Sequence, residues 1–234
     1  MSQYPRYAIY FVPPADSTLY RFGADLIGYD AYSSRPLPFA SGIEKDVDDW
    51  KKFTTDPRKY GFHATLKAPI SLAVDRTEEQ LVAAMHDFAR TPRAIPVIAP
   101  TVRSIGSFIA VVPGSPSAEL QNLAGECVTA FDDFRAPLTA ADRERRNVPA
   151  LSERQVAHLD RWGYPYVFEE FRFHMTLAGS LPAERRGAVM DILRERFAAL
   201  QLSSVSVDRL ALFRQNDAKS SFTIIAHWSL QAAM

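Results

Sequence analysis

Two of the five histidines in this 234-residue chain stand in the same setting. One is His63 in Phe62-His63-Ala64-Thr65-Leu66; the other is His174 in Phe173-His174-Met175-Thr176-Leu177. An imidazole titrates near neutrality, so it can hold or release a proton there. A pair of imidazoles can serve an in-line displacement at phosphorus. One takes a proton from the attacking oxygen and the other gives one to the leaving oxygen. Threonine hydroxyls can hydrogen-bond the non-bridging oxygens. No metal is required for this chemistry.

Side chains alternate across a strand. The first motif therefore places His63, Thr65 and Lys67 on one face, with Phe62, Ala64 and Leu66 on the other. The second places Arg172, His174 and Thr176 opposite Phe171, Phe173, Met175 and Leu177. Each strand is predicted to turn an apolar face to the core and a polar face to an anionic phosphodiester. Lys67 and Arg172 would add positive charge, the arginine with a bidentate grip. A lone His-x-Thr means little. Two copies with matching flanks, embedded in matching element order, carry the reading.

The other histidines offer less. His86 and His158 fall in helical segments and read as surface, and His227 in the last strand reads as core or pocket wall. A zinc site needs three or four suitably spaced ligands. The chain has no His-x-x-x-His, no Cys-x-x-Cys and no dense carboxylate cluster, so neither a metal nor a cofactor is expected. There is no phosphate-binding glycine loop either.

Around these motifs the pattern predicts alternating strands and amphipathic helices. Tyr7–Val12 reads as a strand closed by Pro13-Pro14, and Ser17–Tyr29 as a helix. Ser33–Phe39 reads as loop, Asp46–Phe53 as a short helix and Asp56-Pro57 as a turn. Thr77 and Ser152 each open a capping box, Ser117 is a further N-cap, Gly163 closes a helix and Pro182 opens one. Apolar runs at Ile95–Ile105, Phe108–Val112, Val205–Phe213 and Ser221–Leu230 read as strands. After each motif strand come an amphipathic helix and two strands. From Thr65 to Phe108 is 43 positions, and from Thr176 to Phe222 is 46. That is a duplication, which predicts two halves packed about a pseudo-two-fold axis with the motif strands at its centre.

The expected fold is therefore α+β: one two-lobed domain over 1–234, with mainly antiparallel sheets flanked by helices and the site in the cleft between lobes. The lobes are expected at about 1–135 and 165–234, joined by a charged helical connection at 136–164. Hydrophobic residues make up 47% of the chain, enough for a substantial core. Lys+Arg and Asp+Glu both total 27, so the chain lacks the basic excess of a protein that grips long nucleic acid. A small anionic phosphate ester is the expected partner. Cys127 is the only cysteine and reads as core. No run is long and apolar enough for a membrane helix, the apolar stretch at Tyr7–Val12 is too short for a signal segment, and the cytoplasm is the expected location.

At His63-Ala64-Thr65-Leu66 and His174-Met175-Thr176-Leu177 the sequence resembles the two-histidine (2H) phosphoesterase superfamily, defined by two His-hydrophobic-Thr/Ser-hydrophobic (HxTx) motifs in a duplicated α+β fold. The resemblance spans about Tyr7 to Leu230. It implies metal-independent hydrolysis of 2′,3′-cyclic nucleotides, cyclic ADP-ribose phosphates, RNA ends or 2′-5′ linkages. The stretch from Asp56 to Pro69, together with Phe134–Leu138 and Trp162–Val167, looks like a bacterial branch named for its neighbourhood with phosphonate-utilisation genes. That likeness makes a cyclic ribose phosphate a plausible substrate. Arg58, Lys59 and Tyr60 could touch a second phosphate or a sugar, or form a solvated turn. Arg135, Arg143, Arg145 and Arg146 could form a lid over a terminal phosphate, or a solvated helix face; Arg135, among apolar residues, is the best placed to enter a pocket. Tyr7 and Tyr10 could stack on a base or pack in the core.

The expectation is thus a cyclic phosphodiesterase in which His63 and His174 exchange base and acid roles. Thr65 and Thr176 hold phosphate oxygens, while Lys67, Arg172, Arg135, Tyr60 and Arg58 serve binding. An RNA-end-processing phosphodiesterase or ligase, and a nucleotide- or phosphate-binding module without turnover, are the alternatives.

Overall fold

A computed structural model describes residues 4–144 and 146–233. The first third of the chain forms β1 (Arg6–Phe11), α1 (Thr18–Ile27), β2 (Tyr29–Asp30), β3 (Arg35–Pro36), α2 (Ile43–Asp46), α3 (Trp50–Phe53), α4 (Thr55–Tyr60) and β4 (Ala64–Ser71). Next come α5 (Glu78–Arg90), β5 (Val97–Ile98), β6 (Pro100–Ile105), β7 (Phe108–Pro113), α6 (Ala118–Ala130), α7 (Ala140–Glu144) and α8 (Glu153–Trp162). The last part forms β8 (Met175–Ala178), α9 (Ala183–Ala198), β9 (Val205–Ser206), β10 (Arg209–Gln215) and β11 (Thr223–Ser229).

Local signals explain most of the boundaries. Thr77 and Ser152 make reciprocal capping boxes with Gln80 and Gln155, satisfying donors that a helix start leaves unpaired. Ser117 caps α6 through Leu120 N–H, and Gly163 ends α8 in the left-handed conformation. The Asp56-Pro57 turn expectation is corrected: Pro57 lies inside the first turn of α4, where its missing N–H costs nothing. The loop expected at Ser33–Phe39 contains β3, which pairs with β2.

The class is α+β, as expected. Seven strands form one sheet in the order β11-β10-β1-β4-β8-β7-β6, and every neighbouring pair is antiparallel. The expected sheet in each lobe is thus realised as one continuous sheet, and the two repeats exchange their hairpins. The hairpin β6–β7 follows β4 in sequence but lies beside β8. The hairpin β10–β11 follows β8 but lies on the β4 side, beyond β1. Strand β1 belongs to neither repeat, so the sheet has four strands on one side of the β4–β8 seam and three on the other.

The seam is held from below. Phe62, Ala64, Leu66, Phe173, Met175 and Leu177 are all buried, each large side chain contributing roughly 1.5–3 kcal/mol by leaving water. Helix α1 approaches so closely that a Cβ at Gly23 would lie 2.2 Å from the Phe62 ring, which explains a glycine in mid-helix. The apolar faces of both motifs pack as the alternation predicts, leaving the opposite face for the site.

Candidate active site

The β4–β8 contact is short. Ala64 pairs with Met175, an antiparallel register that, continued one residue each way, sets His63 across from Thr176 and Thr65 across from His174. The two motif strands meet at this pair. All four line a single cleft of about 500 Å³.

Both imidazoles are oriented by the same device. His63 Nδ1 donates to the carbonyl of Gly61 at 2.8 Å, and His174 Nδ1 donates to the carbonyl of Arg172 at 2.7 Å. A carbonyl only accepts, so the proton sits on Nδ1 and the neutral ring keeps Nε2 as its acceptor. His63 Nε2 lies 3.3 Å from the Thr65 hydroxyl. Gly61 holds its carbonyl in place at φ 78°, ψ 175°, a conformation essentially restricted to glycine.

The surroundings of the two rings differ. His63 stacks on Tyr10, with centroids 3.8 Å apart and planes 24° from parallel, and Tyr60 stands 6.2 Å away. Burial pushes its pKa down to about 4; the Gly61 carbonyl opposes that shift and His174 adds to it. His174 has Phe108 at 5.3 Å, and burial lowers its pKa too, against the Arg172 carbonyl.

Of the predicted binding residues, Tyr60 and Arg135 line the cleft. Arg135 is held by Asp132, Nε to Oδ1 at 2.9 Å, and by the Arg161 carbonyl at 3.0 Å. Its backbone zips onto the end of β4: Ala136 N–H donates to Ser71 O and Ala73 N–H to Phe134 O. Tyr60 stacks on Phe222 at 5.2 Å.

Three predicted residues do not line the cleft. Lys67 is buried beneath the C-terminal end of α6, its Nζ donating to Val128 O at 2.9 Å and paired with Asp132 at 3.3 Å. Strand parity gave its face, but not the helix end that covers it, and β4 carries a register irregularity against β1 at this point. Arg172 is exposed and lies three residues before β8, which begins at Met175. Arg58 turns away, donating to Ile27 O at 2.9 Å and Thr54 Oγ1 at 2.8 Å, and so ties α4 to the end of α1.

Other sequence expectations divide in the same way. Arg146 reaches the cleft and lies 4.9 Å over the Tyr164 ring, whereas Arg143 pairs with Asp160 and Arg145 lies outside the described residues. Tyr7 is buried and donates to Glu78, and Tyr10 backs His63 from the core. His227 is exposed and edge-on to Tyr32 at 5.8 Å, and His158 pairs with Glu169, outside the cleft. Among the cleft residues that escaped the sequence reading are Arg6 and Tyr164. Arg6 is four residues before Tyr10 on the same strand, so the alternation applied to the motif strands would have found it on β1.

A profile of the family described as "Protein of unknown function (DUF1045)" matches residues 65–223. A relative from Janthinobacterium sp. (strain Marseille), named "Ribose 1,5-bisphosphate phosphokinase PhnN", is 37% identical over 216 residues, which is 90% of this chain and 47% of the relative. One of the same name from Laribacter hongkongensis (strain HLHK9) is 33% identical over 181 residues, 75% of this chain and 40% of that one. The chain spans less than half the length of these curated relatives. Similar solved structures include E. coli LigT complexed with NADP+ (TM-score 0.45, 13% identity, 98% of this chain and 99% of that one). LigT complexed with 3′-AMP is similar at TM-score 0.43 and 12% identity, with the same shares covered. Since the profile covers well over half of its length, this chain belongs to the DUF1045 family.

Proposed function

We propose that the cleft is a phosphoesterase site of the two-histidine kind, which hydrolyses a cyclic or related phosphodiester of a small sugar-phosphate or nucleotide-like molecule. The observation that carries the reading is the cleft itself: His63, Thr65, His174 and Thr176 all line it, where the two motif strands meet at Ala64 and Met175. In the reaction, water attacks phosphorus while His63 Nε2 takes its proton. His174, protonated at Nε2, gives a proton to the leaving oxygen. The two threonine hydroxyls donate to the non-bridging oxygens. His63 is assigned as the base because its ring, pushed down to about 4, stays neutral to lower pH. His174, facing Phe108 rather than a stacked tyrosine, is the acid.

A small substrate suits a cleft of about 500 Å³ and a chain with no formal net charge. The relatives' name specifies a pentose bisphosphate, which supports a pentose phosphate as the class. Their kinase chemistry has no counterpart in this sequence, which lacks a phosphate-binding glycine loop. Phosphonate breakdown is the setting in which we place the reaction. The test is a screen of nucleoside and ribose cyclic phosphates with product analysis, with and without EDTA. Turnover that survives the chelator is the expected result; absence of turnover on every cyclic phosphate would overturn the reading.

A further inference from the structure

Arg6 is held in the cleft in a way that suits an anion. Its guanidinium carbon lies 5.4 Å from the Tyr4 ring centroid and 5.5 Å from that of Phe222, so an aromatic ring packs against it from each residue. Its Nε donates to Gln215 Oε1 at 3.0 Å and its Nη2 bonds the same oxygen. Gln215 is fully buried, and its own Nε2 donates to Ser220 O at 2.8 Å, which fixes the amide with its oxygen towards the arginine. Each of these partners is neutral. Among the described residues Arg6 has no ion pair, unlike Lys67, Arg135 and Arg161, which share Asp132. An arginine pre-ordered by rings and an amide keeps its full charge for a ligand, and its fork suits a phosphate.

The position also defines a length. Arg6 pairs with Ser71, and Tyr10, under His63, pairs with Thr65. Four residues of β1 separate the two levels, roughly 13 Å along the strand. The cleft lining also includes Tyr60, Ala68 and Ile70, a surface suited to a sugar, and its other charged residues are Arg135, Asp142 and Arg146.

We infer that Arg6 is the anchor of a second anion subsite, and that the substrate is a cyclic phosphodiester carrying a phosphomonoester at its far end. Gln215 is the positioning residue that keeps the guanidinium aimed. This rests on the hydrolytic reading of the histidine end.

The experiment compares a nucleoside 2′,3′-cyclic phosphate with the same compound phosphorylated at the 5′ oxygen. The wild-type protein is expected to prefer the 5′-phosphorylated compound at least tenfold in kcat/KM. Arg6→Gln should remove most of that preference, and Arg6→Lys, which keeps a charge but not the fork, should retain part of it. Where the compounds are turned over, equal losses on both, or no preference in the wild type, would overturn the subsite. Calorimetry on the His63→Ala/His174→Ala protein separates the two ideas. If neither compound is turned over, yet the 5′-phosphorylated one binds about tenfold tighter in an Arg6-dependent manner, the subsite stands and the hydrolytic reading falls. Binding that ignores Arg6 would remove the subsite.

Discussion

The His63 half and the His174 half of the candidate site carry the same sequence motif, yet they sit in unequal surroundings. Both rings are set by a backbone carbonyl two residues earlier. On the His63 side that carbonyl belongs to a glycine in a conformation other residues avoid, and β1 supplies Tyr10 as a stacking floor. On the His174 side the carbonyl belongs to an exposed arginine, and the neighbouring strand is β7, with Phe108 at its start. The difference traces to β1, the strand outside the duplication. Burial is the largest cause of the lowered His63 pKa, and Tyr10 of β1 stacks on that ring.

The largest effect should come from the rings themselves. His63→Ala and His174→Ala are each expected to lower kcat by about 10²–10⁴ with the fold retained by circular dichroism. A diester with a nitrophenolate leaving group sharpens the contrast, since that group departs without a proton. The His174→Ala deficit should shrink on it while the His63→Ala deficit stays; the reverse pattern would exchange the acid and base assignments.

Next comes the glycine. Gly61→Ala forces a side chain into φ 78°, ψ 175°, with its Cβ about 2.9 Å from that of Ala31. A loss of roughly 1–3 kcal/mol in denaturant stability is expected, together with a fall in kcat, because the carbonyl that aims His63 must move.

The pH profile is a subtler measure. The base must be neutral, so kcat/KM should fall as pH drops through the His63 value of about 4. The acid must be protonated, so it should also fall as pH rises through the His174 value, which burial holds below 6.5. An optimum on the acid side of 6.5 follows, and an acid limb at or above that pH would refute the burial argument.

The smallest change is expected from Arg172→Ala. It keeps the carbonyl and removes only an exposed side chain, so kcat/KM should stay within about twofold. A tenfold loss would restore Arg172 to the binding surface.

Period-two alternation made the apolar undersides of both motifs legible in the sequence, and the paired His-x-Thr spacing exposed the four residues at the seam. The capping boxes at Thr77 and Ser152 and the αL glycine at 163 marked helix ends because each satisfies its backbone locally. What alternation could not carry was cover and extent. Lys67 lies under a helix end contributed some sixty residues later in the chain, and Arg172 falls three residues short of its strand. Arg58 looked like a binding residue by proximity to the motif, but its reach is taken up by Ile27 and Thr54. The exchange of hairpins between repeats was equally hidden, since strand order in a sheet is a long-range property.

Asp132 joins Lys67 on β4, Arg135 on the cleft wall and Arg161 on α8. Burial works to raise its pKa, but Arg135 and Lys67 hold it below the usual carboxylate value. Its carboxylate therefore ties the three together in a pH-dependent way. Its stabilisation is in place above the ordinary carboxylate pKa and is lost as pH falls through the depressed one. Protonation would leave three cations without their shared carboxylate, while the backbone bonds from Ala136 to Ser71 and from Ala73 to Phe134 still hold the connecting segment to the sheet. His63, pushed down to about 4, would on the proposed reading take up its proton above that point, with the contacts of Asp132 still in place.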